Sequence, residues 1–207
     1  MSEPAPILEA LVEENVDPDP ILQFTRWFRQ AEDVVKRLPN AMALATATND
    51  GKPSVRMVLL KGFDQDGFVF YTNYESQKAE DLSQNPQASL LFYWPDFGRQ
   101  VRVSGKVAKV TRAESEAYFS TRPLDSQLGA WASRQSEVIL GRKVLEDRVS
   151  ELERQYAGRA VPTPPFWGGY RLAPESIEFW QEREGRLHDR LRYSREGSNW
   201  LLERLSP

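Results

Sequence analysis

The sequence predicts a mainly β protein with helices inserted between its strands, an α+β chain whose antiparallel strands close fully or partly into a barrel. Three observations lead there. Short apolar runs are joined by turn signals at Asn49-Asp50-Gly51 and Asp64-Gln65-Asp66-Gly67, where glycine supplies the positive φ that tight hairpins demand. Residues 100–110, QVRVSGKVAKV, alternate cleanly, so Val101, Val103 and Gly105 face one way and Gln100, Arg102, Ser104 and Lys106 the other. Strand-like runs then resume after a helical middle section, through FWGGYRL, SIEFWQ, LHDRLRY and NWLLERL, bringing the tally to at least six strands.

Taken in order, residues 1–16 are acidic and weakly patterned and read as a flexible arm or lid ahead of a single domain over 17–207. Asp17-Pro18-Asp19-Pro20 offers an acidic N-cap and a proline in the first turn; Phe24, Trp27, Phe28, Ala31, Val34, Val35 and Leu38 follow at helical spacing, so a helix is expected to about Leu38. Met42–Thr48 is a strand turning into the Arg56 strand. The latter is expected to pair across Asp64–Gly67 with the run ending in Tyr71-Thr72. A helix follows from about Ser76 to Gln84, then a buried strand, ASLLFYW, after Asn85-Pro86. A short helix over 112–120 leads to Arg122-Pro123, and a longer one is expected from about Gln135 to Ala157, with Val138, Leu145, Val149, Leu152 and Tyr156 on one stripe and Gly158 at its end. The link VPTPP is a rigid spacer.

Composition narrows the chemistry. The chain has 207 residues, 40% of them hydrophobic, enough for one sizeable core. It has no cysteine and one histidine, which removes disulfides, thiolate nucleophiles, zinc-thiolate sites and multi-histidine metal clusters; redox chemistry would need a borrowed cofactor. A net charge of −3 argues against non-specific nucleic-acid binding, and no apolar run reaches the roughly 18 residues of a membrane span. With no signal peptide pattern the expected location is cytoplasmic. No G-x-S-x-G elbow or P-loop is present, so hydrolase chemistry has little support.

Three groups of residues offer anion chemistry. Arg56 and Lys61 bracket the run Met57-Val58-Leu59-Leu60, and Tyr71, Thr72 and then Ser76-Gln77-Lys78 at a helix start follow; these are donors a phosphate needs. The alternative is a hairpin with solvated charged ends. Arg56 and Lys61 are five apart, so a regular strand sends them to opposite faces unless a bulge intervenes, which suits two anionic groups or two subunits. In RLHDR, period-two geometry would put Arg186, His188 and Arg190 on one face and Leu187 on the other, forming either an anion-facing wall or an edge strand defended by charge. Tyr118, Arg122 and Ser126 are spaced by four and form a plausible phosphate grip, though Pro123 argues against one unbroken helix. Gln135-Ser136 reads as a cap of the long helix or as a donor pair. Trp180 reads as core or as a cofactor wall.

RMVLLK, FYTN, RQVRVSG, RPLDSQLGAWASRQS, PPFWGGYRL, IEFWQ and RLHDRLRY, in this order, resemble the pyridoxamine 5′-phosphate oxidase family of FMN-dependent split-barrel enzymes, from about Pro39 to Pro207. The resemblance implies an antiparallel six-stranded split β-barrel, a homodimer with FMN in clefts at the subunit interface, and oxidation of pyridoxine or pyridoxamine 5′-phosphate to pyridoxal 5′-phosphate. Dioxygen would be the acceptor and hydrogen peroxide the product. It further implies that Arg56, Met57, Val58, Leu59, Leu60, Lys61, Tyr71, Thr72, Lys78, Gln100, Gln135, Ser136, Trp180 and Arg190 contact FMN. Lys61, Tyr118, Arg122 and Ser126 would hold the substrate phosphate, and Arg186, Leu187 and His188 would line the substrate ring, with Arg186 and His188 nearest the chemistry. Two departures stand out. Gln77 occupies a cofactor position where the family usually has arginine, removing a charge-assisted bond of roughly 1.5–3 kcal/mol, and the arm carries Glu9, Glu13 and Glu14 instead of a basic Arg-x-x-Tyr segment. A sister flavin oxidase of another aromatic substrate, of the phenazine-precursor type, and a non-catalytic flavin or pyridoxal-phosphate module are the rival readings.

Overall fold

The computed structural model describes residues 10–207. Among these residues nine strands form one antiparallel sheet: β1 (Ala41–Ala47), β2 (Pro53–Leu59), β3 (Gly62–Asp64), β4 (Gly67–Asn73), β5 (Gln87–Trp94), β6 (Arg99–Lys109), β7 (Trp167–Gln181), β8 (Asp189–Glu196) and β9 (Asn199–Arg204). Their order is β2-β1-β5-β6-β7-β4-β3, with β8 pairing β7 and β9 pairing β8. The sheet curls into a half-closed barrel; the strand count exceeds the six expected within the same class. The runs FWGGYRL and SIEFWQ are one strand, β7. Residues 167–172 of it pair with β4 and 176–181 with β8, while β6 runs along its other edge. The register shifts between Ser104 and Gly105. A Cβ on Gly105 would lie 2.0 Å from the Ala173 carbonyl oxygen, so the strands approach there as only glycine permits.

α1 (Pro20–Val34) starts as expected, with Asp19 accepting the Ile21 N–H at 2.8 Å. It buries Phe24, Trp27, Phe28 and Ala31 against the sheet, Phe24 meeting Phe63, Phe68 and Phe92 at 4.9–5.0 Å. The helix stops at Val34, short of Leu38, which has φ +54°; Pro39 disfavours helical backbone at the residue before it. The Arg56 strand pairs with β1, not with β4. The Asp64–Gly67 turn joins β3 to β4 instead, with Gly67 at φ +129°.

α2 (Gln77–Gln84) and α3 (Arg112–Ser120) lie where expected. The long helix does not begin at Gln135. Pro123 caps a separate helix, α4 (Leu124–Ala132), and α5 (Arg142–Gln155) starts after Gly141. Residues 133–141 form a loop in which Ser136 has φ +77°, and Val138 is fully exposed instead of lying on a stripe. A second, smaller core of Phe119, Leu128, Val161 and Trp167 binds α3–α5 to the head of β7.

The strand expected over 186–192 begins only at Asp189. Residues 184–186 form a 3-10 turn with Gly185 at φ +65° and Arg186 at φ +63°, so Arg186 and His188 share no strand face with Arg190. In the acidic arm, residues 1–9, including Glu9, lie outside the described residues. From Leu11 onward the segment is docked rather than free: Leu11 is buried, and Arg204 donates to the Glu13 carboxylate and the Leu11 carbonyl.

Candidate functional site

A cleft of about 970 Å³ opens between β2, the end of β4, the start of α2, and the α3–α4 corner. β2 contributes Arg56, Met57, Val58 and Leu59, and Lys61 follows immediately. The strand ends at Leu59 and the Lys61 N–H donates to the Val69 carbonyl, so strand parity no longer applies and both cations line one cleft. Leu60 does not line it: its side chain is core, and its backbone is bonded on both sides to Asn40. Tyr71, Thr72, Gln77, Lys78, Tyr118, Arg122, Ser126, Gln135 and Ser136 all line the same cleft.

Lys78 is the most telling group. Its side chain is buried, yet among the described residues Nζ bonds only neutral oxygens, Ser76 Oγ at 3.0 Å and Gln135 Oε1 at 2.7 Å. Burial, reinforced by the Arg56 charge, brings it down to about 8. Gln135 also accepts from Thr72 Oγ1, and the Gln77 N–H donates to Ser136 Oγ, so the 133–141 loop is tied to the N-terminus of α2. Arg56 lies behind, donating to Thr46 Oγ1 and Ser54 Oγ, 3.6 Å from Asp81. Burial alone would raise the Asp81 carboxyl, but hydrogen bonds from Thr46 and Gln77 and the Arg56 charge hold it below the usual range. Gln77 thus spends its side-chain amide on Asp81, at 2.9 Å.

Arg122 is a second cation of the cleft without an anion among the described residues. One guanidinium nitrogen, Nη1, is buried with no hydrogen-bond partner among the described residues, and burial lowers the group from its ordinary value. The guanidinium lies over the Trp167 ring at 4.7 Å. Tyr71 and Tyr118 stack at 4.1 Å beside it, and Lys61 Nζ sits 5.8 Å from the Tyr118 ring. Two buried or half-buried cations held by neutral oxygens and aromatic faces carry a desolvation cost that a bound phosphate would relieve. The donor set fits a phosphate-bearing cofactor and a phosphate-bearing substrate.

The other expected site residues form a separate patch on the outer face of β6–β8. Gln100, Trp180 and Arg190 stand side by side in register, and His188 packs on Trp180 at 4.6 Å. His188 Nδ1 accepts the Arg183 N–H at 3.1 Å. Arg190 is held by Glu178, which also takes Arg102, and by the Ser206 carbonyl. Leu187 is exposed. None of these residues, nor Arg186, lines the cleft of its own chain.

Residues 29–156 match the family model described as pyridoxamine 5′-phosphate oxidase, and residues 167–207 the one described as the pyridoxine 5′-phosphate oxidase C-terminal dimerisation region. The chain belongs to the pyridoxamine 5′-phosphate oxidase family. A pyridoxine/pyridoxamine 5′-phosphate oxidase of Rubrobacter xylanophilus is 60% identical over 197 residues, covering 95% of this chain and 91% of the relative. One from Acaryochloris marina is 56% identical over 199 residues, covering 96% and 91%. Among solved structures, PhzG from Burkholderia lata in complex with tetrahydrophenazine-1-carboxylic acid superposes with a TM-score of 0.92 at 34% identity, covering 99% of this chain and 100% of that one. A pyridoxamine 5′-phosphate oxidase-related FMN-binding protein from Nostoc punctiforme, at TM-score 0.70, 19% identity and coverage of 89% and 95%, shares the fold. The patch of Trp180, His188 and Arg190 falls within the dimerisation region of the family. No helix among the described residues is long and apolar enough to cross a membrane.

Trp167, Asn73 and Ser133 line the cleft without having been singled out from the sequence. Asn73 Nδ2 donates to the Ser133 carbonyl and draws the loop onto β4. FYTN and FWGG were visible as motifs, but a tryptophan heading an apolar run reads as core.

Proposed function

We propose that the protein oxidises pyridoxamine 5′-phosphate and pyridoxine 5′-phosphate to pyridoxal 5′-phosphate, with FMN as cofactor and dioxygen as acceptor, releasing hydrogen peroxide and, from the amine, ammonia. The observation that carries the reading is the pair of cations, Lys78 and Arg122, that lie in one cleft without anionic partners among the described residues. Lys78, backed by Arg56 and by the backbone N–H groups at the start of α2, would take the flavin phosphate. Arg122, Lys61, Tyr118 and Ser126 would take the substrate phosphate. When bound, FMN supplies a two-electron acceptor that returns its electrons to dioxygen.

The residues absent from this cleft, Gln100, Trp180, Arg186, Leu187, His188 and Arg190, would complete the site from the partner in a homodimer, which the dimerisation region supports. Arg186, with five N–H donors and no acceptor, can only orient and supply positive field. His188, with Nδ1 occupied by the Arg183 N–H, presents Nε2 as its free nitrogen, so the neutral ring would donate from that atom. A phenazine-type substrate is the rival, given the PhzG superposition. A sister oxidase of that type need not keep Tyr118, Arg122 and Ser126, so the presence of all three in the cleft favours the vitamin B6 phosphates. Anaerobic mixing of the holoprotein with pyridoxine 5′-phosphate tests this: bleaching of the flavin bands, then aldehyde on aeration, is expected. An unbleached flavin would overturn the substrate assignment.

A further inference from the structure

We infer that Trp167 is a positioning residue that gives the cleft its preference for phosphorylated substrates, by holding the Arg122 guanidinium flat without neutralising it. The inference rests on the proposed function and adds to it the residue that sets the phosphate grip.

Arg122 has an unusual set of neighbours. Its backbone is pinned, the N–H donating to the Phe119 carbonyl at 3.1 Å and the carbonyl accepting from Gln127 Nε2 at 2.9 Å. Its guanidinium, by contrast, has no ion-pair partner among the described residues and rests on ring faces, Trp167 at 4.7 Å and Phe119 at 5.5 Å. A carboxylate would fix an arginine more tightly but would cancel the charge that a phosphate dianion needs. An indole face orients the plane of the group and leaves its charge available.

Trp167 is built as a rigid platform. It is buried, heads β7, donates its N–H to the Pro164 carbonyl at 3.2 Å and gives its own carbonyl to Arg112 Nη1 at 3.3 Å. Its ring is nearly parallel to Tyr71 (5.3 Å, 11°) and Tyr118 (6.2 Å, 10°) and meets Phe119 edge-on at 5.0 Å. One indole therefore supports both Arg122 and Tyr118, which belong to the phosphate grip. It also stacks on Tyr71, which in turn stacks on Tyr118 at 4.1 Å. A tryptophan needed only for packing would not require an unpaired guanidinium on its face.

The test compares holoenzyme with Trp167→Leu, Trp167→Phe, Arg122→Ala and the Arg122→Ala/Trp167→Leu pair. The readouts are KM and kcat for pyridoxine 5′-phosphate and the dissociation constant of pyridoxal 5′-phosphate by absorbance titration. Trp167→Leu is expected to raise KM and the dissociation constant about 10-fold, with kcat falling far less, because a remote grip contributes mostly uniform binding. Trp167→Phe, which keeps a ring face, should recover most of the loss. In the Arg122→Ala background Trp167→Leu should raise KM by much less than about 10-fold, since most of its effect runs through that guanidinium. An equal fold-change from Trp167→Leu with and without Arg122 would overturn the inference; if Trp167→Leu fails to fold, a Trp167→Phe holoenzyme whose kcat falls at unchanged KM would overturn it instead. A wild-type protein that neither binds pyridoxal 5′-phosphate nor turns over its precursor would instead overturn the proposed function, and the inference with it.

Discussion

Replacing Lys78 by methionine should make the ligand-free protein more stable and the flavin-bound protein harder to form. The ammonium, ordinarily titrating at 10.5, is brought down to about 8 by burial and by Arg56. At about 1.4 kcal/mol per tenfold change, that is a burial penalty of roughly 3 kcal/mol. Methionine fills similar space without charge, so urea unfolding of the apoprotein at pH 7 should show a gain of up to about 3 kcal/mol. The sign with pH follows from linkage. Between about 8 and 10.5 the unfolded chain binds a proton that the folded one does not, so wild-type apoprotein gains stability as pH rises through that window. The methionine variant should lack that slope. FMN affinity, measured by quenching of flavin fluorescence, should fall roughly 10- to 150-fold for the lost charged hydrogen bond. A destabilised apoprotein with unchanged flavin affinity would refute the view of Lys78 as a buried cation waiting for an anion.

Gly67→Ala should cost several kcal/mol in urea unfolding, on the order of 2–4, because φ is +129° and the new Cβ would meet the Leu172 carbonyl oxygen at 2.0 Å; a loss below about 0.5 would show that the β3–β4 turn can relax. Glu178→Ala leaves Arg102 and Arg190 without their shared carboxylate and should cost about 3 kcal/mol of stability, with Glu178→Gln intermediate; equal stability of all three proteins would contradict the role of Glu178. Arg204→Ala should expose residues 11–16 to limited proteolysis at little global cost, since the pair with Glu13 is largely solvent-exposed. Arg204 holds the Glu13 carboxyl at about 2, below its usual 4.5, so the contribution of this pair is complete above about pH 4.5 and disappears as pH falls through about 2; a proteolysis pattern unaffected by the substitution would remove Arg204 as the anchor.

Much of the fold was legible because its signals are local. Asp19-Pro20 caps α1 in place, and the alternation of residues 100–110 predicts which side chains of β6 are buried. Errors arose where one residue redirected the chain. Pro123 starts α4 rather than only interrupting a helix, so Gln135-Ser136 became loop, tied to Lys78 and Gln77. Gly185, in the left-handed region, turns Arg186 and His188 off the strand that period-two counting assigned them. In the candidate site the cations around β2 and α2 were visible, since charges flanking an apolar run are conspicuous. The carboxylate beside Arg56 was not: Asp81 lies far along the chain from it, on α2, and is brought within 3.6 Å only by the fold. Trp167 was hidden for a related reason, since its contact with Arg122 spans two elements that no sequence period connects.

The account depends on a site assembled from two chains, the cleft of one and the Trp180–His188–Arg190 patch of the other. Mixing two variants impaired in opposite halves, Arg122→Ala and His188→Ala, after joint unfolding and refolding with FMN, tests this most directly. Random pairing makes about half of the dimers mixed, each with one intact site of two, so about a quarter of wild-type activity should return. A mixture no more active than the average of its parents would contradict the shared site.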